Sequence, residues 1–274
     1  MSEDGRIFDA FVAALCDPSA PARMRGDLSG FIGEFGVSGE DAAAIVEGGA
    51  RRLLMYRTMV QGRVSALIAE FIPQTVARLG QVRYEADVRK FWAGGGSRGV
   101  DLIEVAALFI DAVAPRWLVD PAIPAYLVEL ARYELALCQV RTSAEGGEPA
   151  SGAALALARP LRFDGALRLL RGSYAVHRCV CAGGEAHEPA LAATSLLIYR
   201  DREGSMARTL ELSERAGEVV ARLLAGEAME AALRGGAAAA GEALSDEMLA
   251  SMAALLADLS ERRIVLGAEV IGLD

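Results

Sequence analysis

Residues 142–154, TSAEGGEPASGAA, separate two stretches of chain that follow different rules. A run of small, polar, Gly and Pro residues buries little apolar area, so it joins cores rather than forming one. The break predicts a helical domain over residues 1–141, a linker over 142–158 and a second domain over 159–274. At 274 residues the chain is long enough for two cores of ordinary size.

Before the break, apolar residues recur at helical spacing and nothing alternates for long enough to suggest a strand. Ile7, Phe8, Phe11, Val12 and Leu15 form one stripe that ends before Asp17 and Pro18. Phe31, Ile32 and Phe35 mark a short second element, and Ser38 is placed to cap the helix that begins GEDAAAIV. A long stripe, Leu53, Leu54, Val60, Val64, Leu67, Ile68 and Phe71, then stops at Pro73. These periods predict a helical bundle.

After the break the period changes. Tyr174, Val176, Arg178 and Val180 alternate and predict a strand. SLLIYRDREGSMARTLELS, residues 195–213, predicts two more strands around a DREG reversal, with Leu196 and Ile198 matched by Leu210 and Leu212. Ser213 can cap a helix that Gly226 ends, Met229 to Leu233 form a shorter helix, and Ser245 starts the last one. GGAAAAG, between the last two, reads as a flexible connection. The expected class is α+β, mostly helical, with three strands and then three helices in the second domain.

Charge and composition exclude several functions. The net charge of -9 weighs against nucleic acid, whose phosphates demand clustered Lys and Arg. Mean hydropathy is +0.28, yet the most apolar stretch, Leu102 to Val119, is broken by Glu104, Asp111, Pro115 and Arg116. A spanning helix needs about 20 nearly uncharged residues, so no membrane role is expected. The acidic opening MSEDGRIF lacks the basic segment and apolar run of a secretory signal, which points to the cytoplasm. Four cysteines, Cys16, Cys138, Cys179 and Cys181, are too few and scattered for a disulfide framework.

HRCVCAGGEAH holds both histidines, His177 and His187, beside Cys179 and Cys181. On a strand, His177, Cys179 and Cys181 would share a face, but Cys-x-Cys is a poorer zinc pattern than Cys-x-x-Cys. No Ser/His/Asp set, P-loop or dinucleotide fingerprint is present. Neither a metal nor a catalytic residue is assigned.

MYRTMVQGRVSALIAEFIPQTVARLG, DLIEVAALFID and IPAYLVELARYELAL carry a resemblance over roughly residues 50–140. They resemble the helical domain of partner proteins encoded beside TIM-barrel multinuclear iron oxidases. Such pairs modify cysteines in ribosomally made peptides, as in methanobactin and 3-thiaglutamate biosynthesis. The strongest elements are Tyr56, Arg57, Phe71, Pro73, Arg132 and Glu134. The resemblance implies a heterodimer with an iron-bearing oxidase, contacted through Tyr56, Arg57 and Arg132, and no cofactor in this chain.

Residues 174–267 are similar to the peptide chaperone of pyrroloquinoline quinone biosynthesis and to the winged-helix-like elements that recognise leader peptides. This implies that a leader adds as a strand beside Arg208, Thr209, Leu210, Glu211 and Leu212. Met248, Met252 and Leu255 would wall the groove. The edge of a three-strand meander is physically suited to this, because an unpaired strand edge accepts any extended chain. The same residues also fit a plainer reading in which Arg208 and Glu211 blunt the edge and the methionines fill core.

The combined expectation is a non-catalytic recognition subunit that presents a cysteine-containing precursor peptide to an iron oxidase. A winged-helix transcription regulator is the alternative, disfavoured by the acidic charge. A stand-alone zinc enzyme using His177 and the paired cysteines is the third.

Overall fold

The computed structural model describes residues 3–96, 101–143, 156–180, 187–201, 206–239, 241 and 245–269. The fold is α+β and mostly helical, and the chain divides into two compact units, residues 1–135 and 136–274. The division falls inside a helix, a few residues before the break expected at 141.

The first unit contains α1 (Glu3–Cys16), α2 (Ala20–Gly26), α3 (Leu28–Gly33), α4 (Gly39–Phe71), α5 (Pro73–Leu79), α6 (Gln81–Ala93), α7 (Leu102–Trp117) and the start of α8 (Leu127–Thr142). Helix α1 forms where expected, but its buried residues are Ala10 and Ala14, and Phe8 of the expected stripe is 57% exposed. The stop at Pro73 appears, and Pro73 opens α5, where its missing N–H costs nothing. Ser38 sits at the N-cap of α4 but makes no side-chain cap bond. Gly49, at φ +77°, kinks α4, a conformation that favours glycine. Tyr84, Phe91, Phe109 and Trp117 pack edge-to-face at centroid distances of 5.7 to 6.4 Å. Their polar ends are satisfied where burial requires it, Trp117 Nε1 donating to Asp87 Oδ2 at 2.8 Å and Trp92 Nε1 to Ser65 Oγ at 3.1 Å.

The second unit opens with β1 (Leu161–Phe163) and β2 (Leu167–Tyr174), followed by a short α9 (His177–Val180). Then come β3 (Leu191–Arg200), β4 (Ala207–Leu212), α10 (Glu214–Leu224), α11 (Met229–Ala239), α12 (Asp246–Glu261) and β5 (Val265–Ala268). Strands β2, β3 and β4 form an antiparallel meander with β3 in the centre, while β1 and β5 pair separately. A three-strand meander followed by three helices is the expected order. The caps agree as well: Ser213 Oγ accepts from Ala216 N and Ser245 Oγ from Met248 N, both at 3.2 Å. Gly226 ends α10 at φ +85°.

Three details differ from the sequence reading. The first strand lies at Leu167–Tyr174, and the residues expected to extend it, His177 to Val180, are helical. The register of the hairpin is shifted by one face: Leu210 opposes Leu197 and Leu212 opposes Ser195. Residues 194–199 of β3 are buried on both faces, so their apolar run carries no alternation from which the face could be read. Finally, Gly235, Gly236 and the alanines through Ala239 belong to α11 rather than to a flexible connection. Gly236 is needed there, because a Cβ would meet Val219 Cγ2 at 2.4 Å. Likewise a Cβ at Gly217 would meet Ser195 Oγ at 2.3 Å, so α10 lies directly on β3.

Candidate functional site

Among the described residues β4 is an edge strand, and the two clefts it shares with opposite ends of α12 imply that strand and helix run in opposite directions. At the start of β4, Arg208 shares an open cleft of about 800 Å³ with Asp258, Glu261, Arg262 and Arg263 from the end of α12. Past the other end of β4, Ser213 and Arg215 share a cleft of about 430 Å³ with Ser245, Met248, Ser251 and Met252 from the start of α12. Five residue steps along β4 cover about 17 Å. The fourteen steps from Met248 to Arg262 cover about 21 Å of helix. The two elements are therefore matched in length, and the seam between them is open at both ends. Half-buried Leu210 and Leu255 belong to the apolar cluster beneath it.

Each end of the seam is fixed by its own chemistry. Arg262 Nη1 donates to Tyr199 Oη at 2.7 Å, and its Nε reaches Asp258 Oδ2 at 2.8 Å, so the last turn of α12 is tied to β3. Those two partners hold the Arg262 guanidinium above its ordinary value. Arg208 Nε is 3.2 Å from Asp201 Oδ2. At the other end the N-cap serines leave two helix N-termini facing one cleft.

The residues expected to bind peptide separate into three groups. Arg208, Thr209, Leu210, Glu211 and Leu212 all lie on β4, with Arg208 and Glu211 exposed. Glu211 is already engaged, with Oε2 3.1 Å from His177 Nε2 and 3.2 Å from Arg178 Nη2. The Arg178 guanidinium, followed by His177, holds its carboxyl below the usual carboxylate range. Met248 and Met252 are 1% and 5% exposed and belong mainly to the core, presenting only an edge to the smaller cleft. Leu255 is half-buried beside them. Arg215, Ser245, Ser251, Arg262 and Arg263 were missed, because a cleft formed by strand and helix ends leaves no periodic trace in sequence.

In the first unit, Tyr56, Arg57 and Arg132 do not form one constellation. Tyr56 is 48% exposed and lines an open apolar cleft of about 370 Å³ with Phe11, Ile45, Leu53, Met55 and Met59. Arg57 is 8% exposed; its Nη1 donates to the carbonyls of Ala14 at 2.8 Å and Asp17 at 3.1 Å. Gln61 Nε2 takes the Leu15 carbonyl at 2.8 Å, so α4 closes the C-terminus of α1 with a cation and an amide. Arg132 is exposed and pairs with Asp111 at 3.3 Å. Glu134, another residue of the resemblance, is buried and caps α5: its carboxylate accepts from Gln74 N, Thr75 N and Thr75 Oγ1, each at 2.8 Å. Burial pushes this carboxyl up, and the three donors pull it back.

His177 and Cys179 sit on α9, so they do not share a strand face, and Cys181 lies outside the described residues. Cys179 is buried with its Sγ 3.2 Å from the His187 carbonyl. Among the described residues, no three His, Cys, Asp or Glu side chains are grouped as a metal cage. No described helix is long and apolar enough to cross a membrane.

No protein-family model matches the chain, and no curated protein matches it.

Proposed function

We propose that this chain is a recognition subunit that binds the leader of a cysteine-containing precursor peptide and presents it to a multinuclear iron oxidase. The observation that carries the reading is the open seam between edge strand β4 and α12, with a cleft at each end. An extended segment added to β4 gains backbone hydrogen bonds for affinity, and the two clefts accept side chains that set its register. The chain's own residues bind and orient. The oxidase supplies iron chemistry at the cysteine.

The first unit serves docking. Exposed Met55, Tyr56 and Met59 around an apolar cleft offer the kind of aromatic and methionine surface that protein interfaces favour. Arg57 contributes from behind, by holding α1 against α4. Tethering one end of the precursor makes delivery of its cysteine effectively intramolecular, and short flexible links give effective concentrations in the millimolar range.

The test combines purified oxidase, precursor and this protein, omits each in turn, and follows peptide mass under oxygen. At limiting precursor, turnover should depend on this protein, and the dependence should shrink at saturating precursor. Equal turnover with and without it refutes the reading.

A further inference from the structure

Just past the end of α12 stands a residue that its backbone does not favour. Arg263 has φ +56°, the one positive-φ residue other than glycine among the described residues. It occupies the position just beyond the helix cap: Arg263 N donates to the Ser260 carbonyl at 2.9 Å and Ile264 N to the Leu259 carbonyl at 2.8 Å. That pair of bonds is the Schellman closure, whose left-handed residue is usually glycine. Here a long cationic side chain stands there instead, despite the steric cost of a Cβ in that conformation.

The side chain emerges in the 800 Å³ cleft beside Arg208. The other cations of the cleft are engaged, Arg208 with Asp201 and Arg262 with Asp258 and Tyr199. Arg263 is exposed, and its side chain makes no ion pair or hydrogen bond among the described residues. Asp201 and Asp258 are the carboxylates already matched, and Glu261, which also lines the cleft, sits in ordinary helix and carries no backbone cost.

We propose that Arg263 is a specificity-determining residue that reads an acidic side chain of the bound peptide where the peptide passes the start of β4. The inference rests on the strand-addition reading above and deepens it: the ligand is an extended peptide carrying Asp or Glu at a fixed spacing from the apolar residue seated at Leu210 and Leu255. Strained backbone retained beside an unpartnered charge in a cleft is the signature of a position held for binding rather than for stability.

The test uses the full chain and separates stability from recognition. Arg263→Gly should raise the hydrogen-exchange protection of α12 by roughly fivefold to tenfold, the left-handed cost returned. A merely structural arginine would lose nothing else. For recognition, wild type and Arg263→Gly are each used to select binders from a displayed library of random dodecapeptides. Wild type should enrich peptides with Asp or Glu at one fixed distance from an apolar residue, whereas the variant should keep the apolar residue and lose the acid. Peptides selected by wild type should bind Arg263→Gly about tenfold more weakly, and Arg263→Lys should recover part of that loss. Changing the peptide's acid to its amide should weaken wild type equally but the variant no further. Enriched peptides without an acidic preference, or with affinity indifferent to Arg263, overturn this inference alone. Enrichment of no peptide at all overturns the strand-addition reading as well.

Discussion

Glu134 accepts three hydrogen bonds from the first turn of α5, and its removal tests whether that buried carboxylate organises the helical unit. In Glu134→Ala the N–H groups of Gln74 and Thr75 lose their acceptor, and Thr75 N is buried. An orphaned buried donor costs about 1–3 kcal/mol. Two such groups and a small void therefore cost about 3–5 kcal/mol, offset in part because the carboxylate's own desolvation disappears with it. A net loss of about 3 kcal/mol, at a urea dependence of about 2 kcal/mol per M, moves the midpoint by about 1.5 M. Glu134→Gln retains one acceptor oxygen but turns an N–H donor toward the other backbone N–H, so roughly half the loss is expected. The readout is selective, because both tryptophans, Trp92 and Trp117, are buried in the first unit. Urea unfolding of the full chain followed by tryptophan fluorescence thus reports that unit. A Glu134→Ala midpoint within about 0.3 M of wild type would refute the capping argument.

Two further substitutions follow from close contacts. Arg57→Met should expose the α1 carbonyls and lower the same fluorescence midpoint by about 1 M, while Tyr56→Ala leaves the midpoint unchanged and weakens stimulation of the oxidase. Gly217→Ala should destabilise the second unit by about 1–3 kcal/mol, measured by thermal circular dichroism, because the clash with Ser195 exceeds the helix-propensity gain of about 1 kcal/mol.

Within the first unit, α1, α3 and α4 were legible from an apolar run with a Pro or capping boundary, as at Leu15 before Pro18 and Phe71 before Pro73, whereas short, alanine- and arginine-rich α2 and polar α6 carry no comparable signal. The meander, its edge strand and the caps at Ser213 and Ser245 were legible for the same local reasons. What escaped depends on distant partners. Arg57 reads as a surface charge until its acceptor carbonyls, 40 and 43 residues away, come into view. Glu134 likewise answers donors 59 and 60 residues back. The hairpin register failed where β3 is buried on both faces, and the glycines of α11 look flexible until Val219 is seen against Gly236. Arg263 is marked out by its conformation and not by its neighbours in sequence.

The most direct measurement is turnover of the precursor by the reconstituted oxidase at limiting peptide, with wild type compared against Glu211→Pro and Glu211→Ala. The 201/206 pair is hydrogen-bonded, so in this register the backbone of Leu210 faces β3 and that of Glu211 faces outward. Proline at 211 removes an outward donor, alanine controls for the lost carboxylate, and circular dichroism must first show that each variant retains the folded signal. Two controls accompany them: a precursor lacking its leader, and saturating precursor. The account predicts that Glu211→Pro and leader deletion each abolish the stimulation at limiting peptide, are not additive, and matter little at saturation, while Glu211→Ala retains most of it. Full stimulation by folded Glu211→Pro with the intact precursor would contradict the claim that the β4 edge is where the peptide is held.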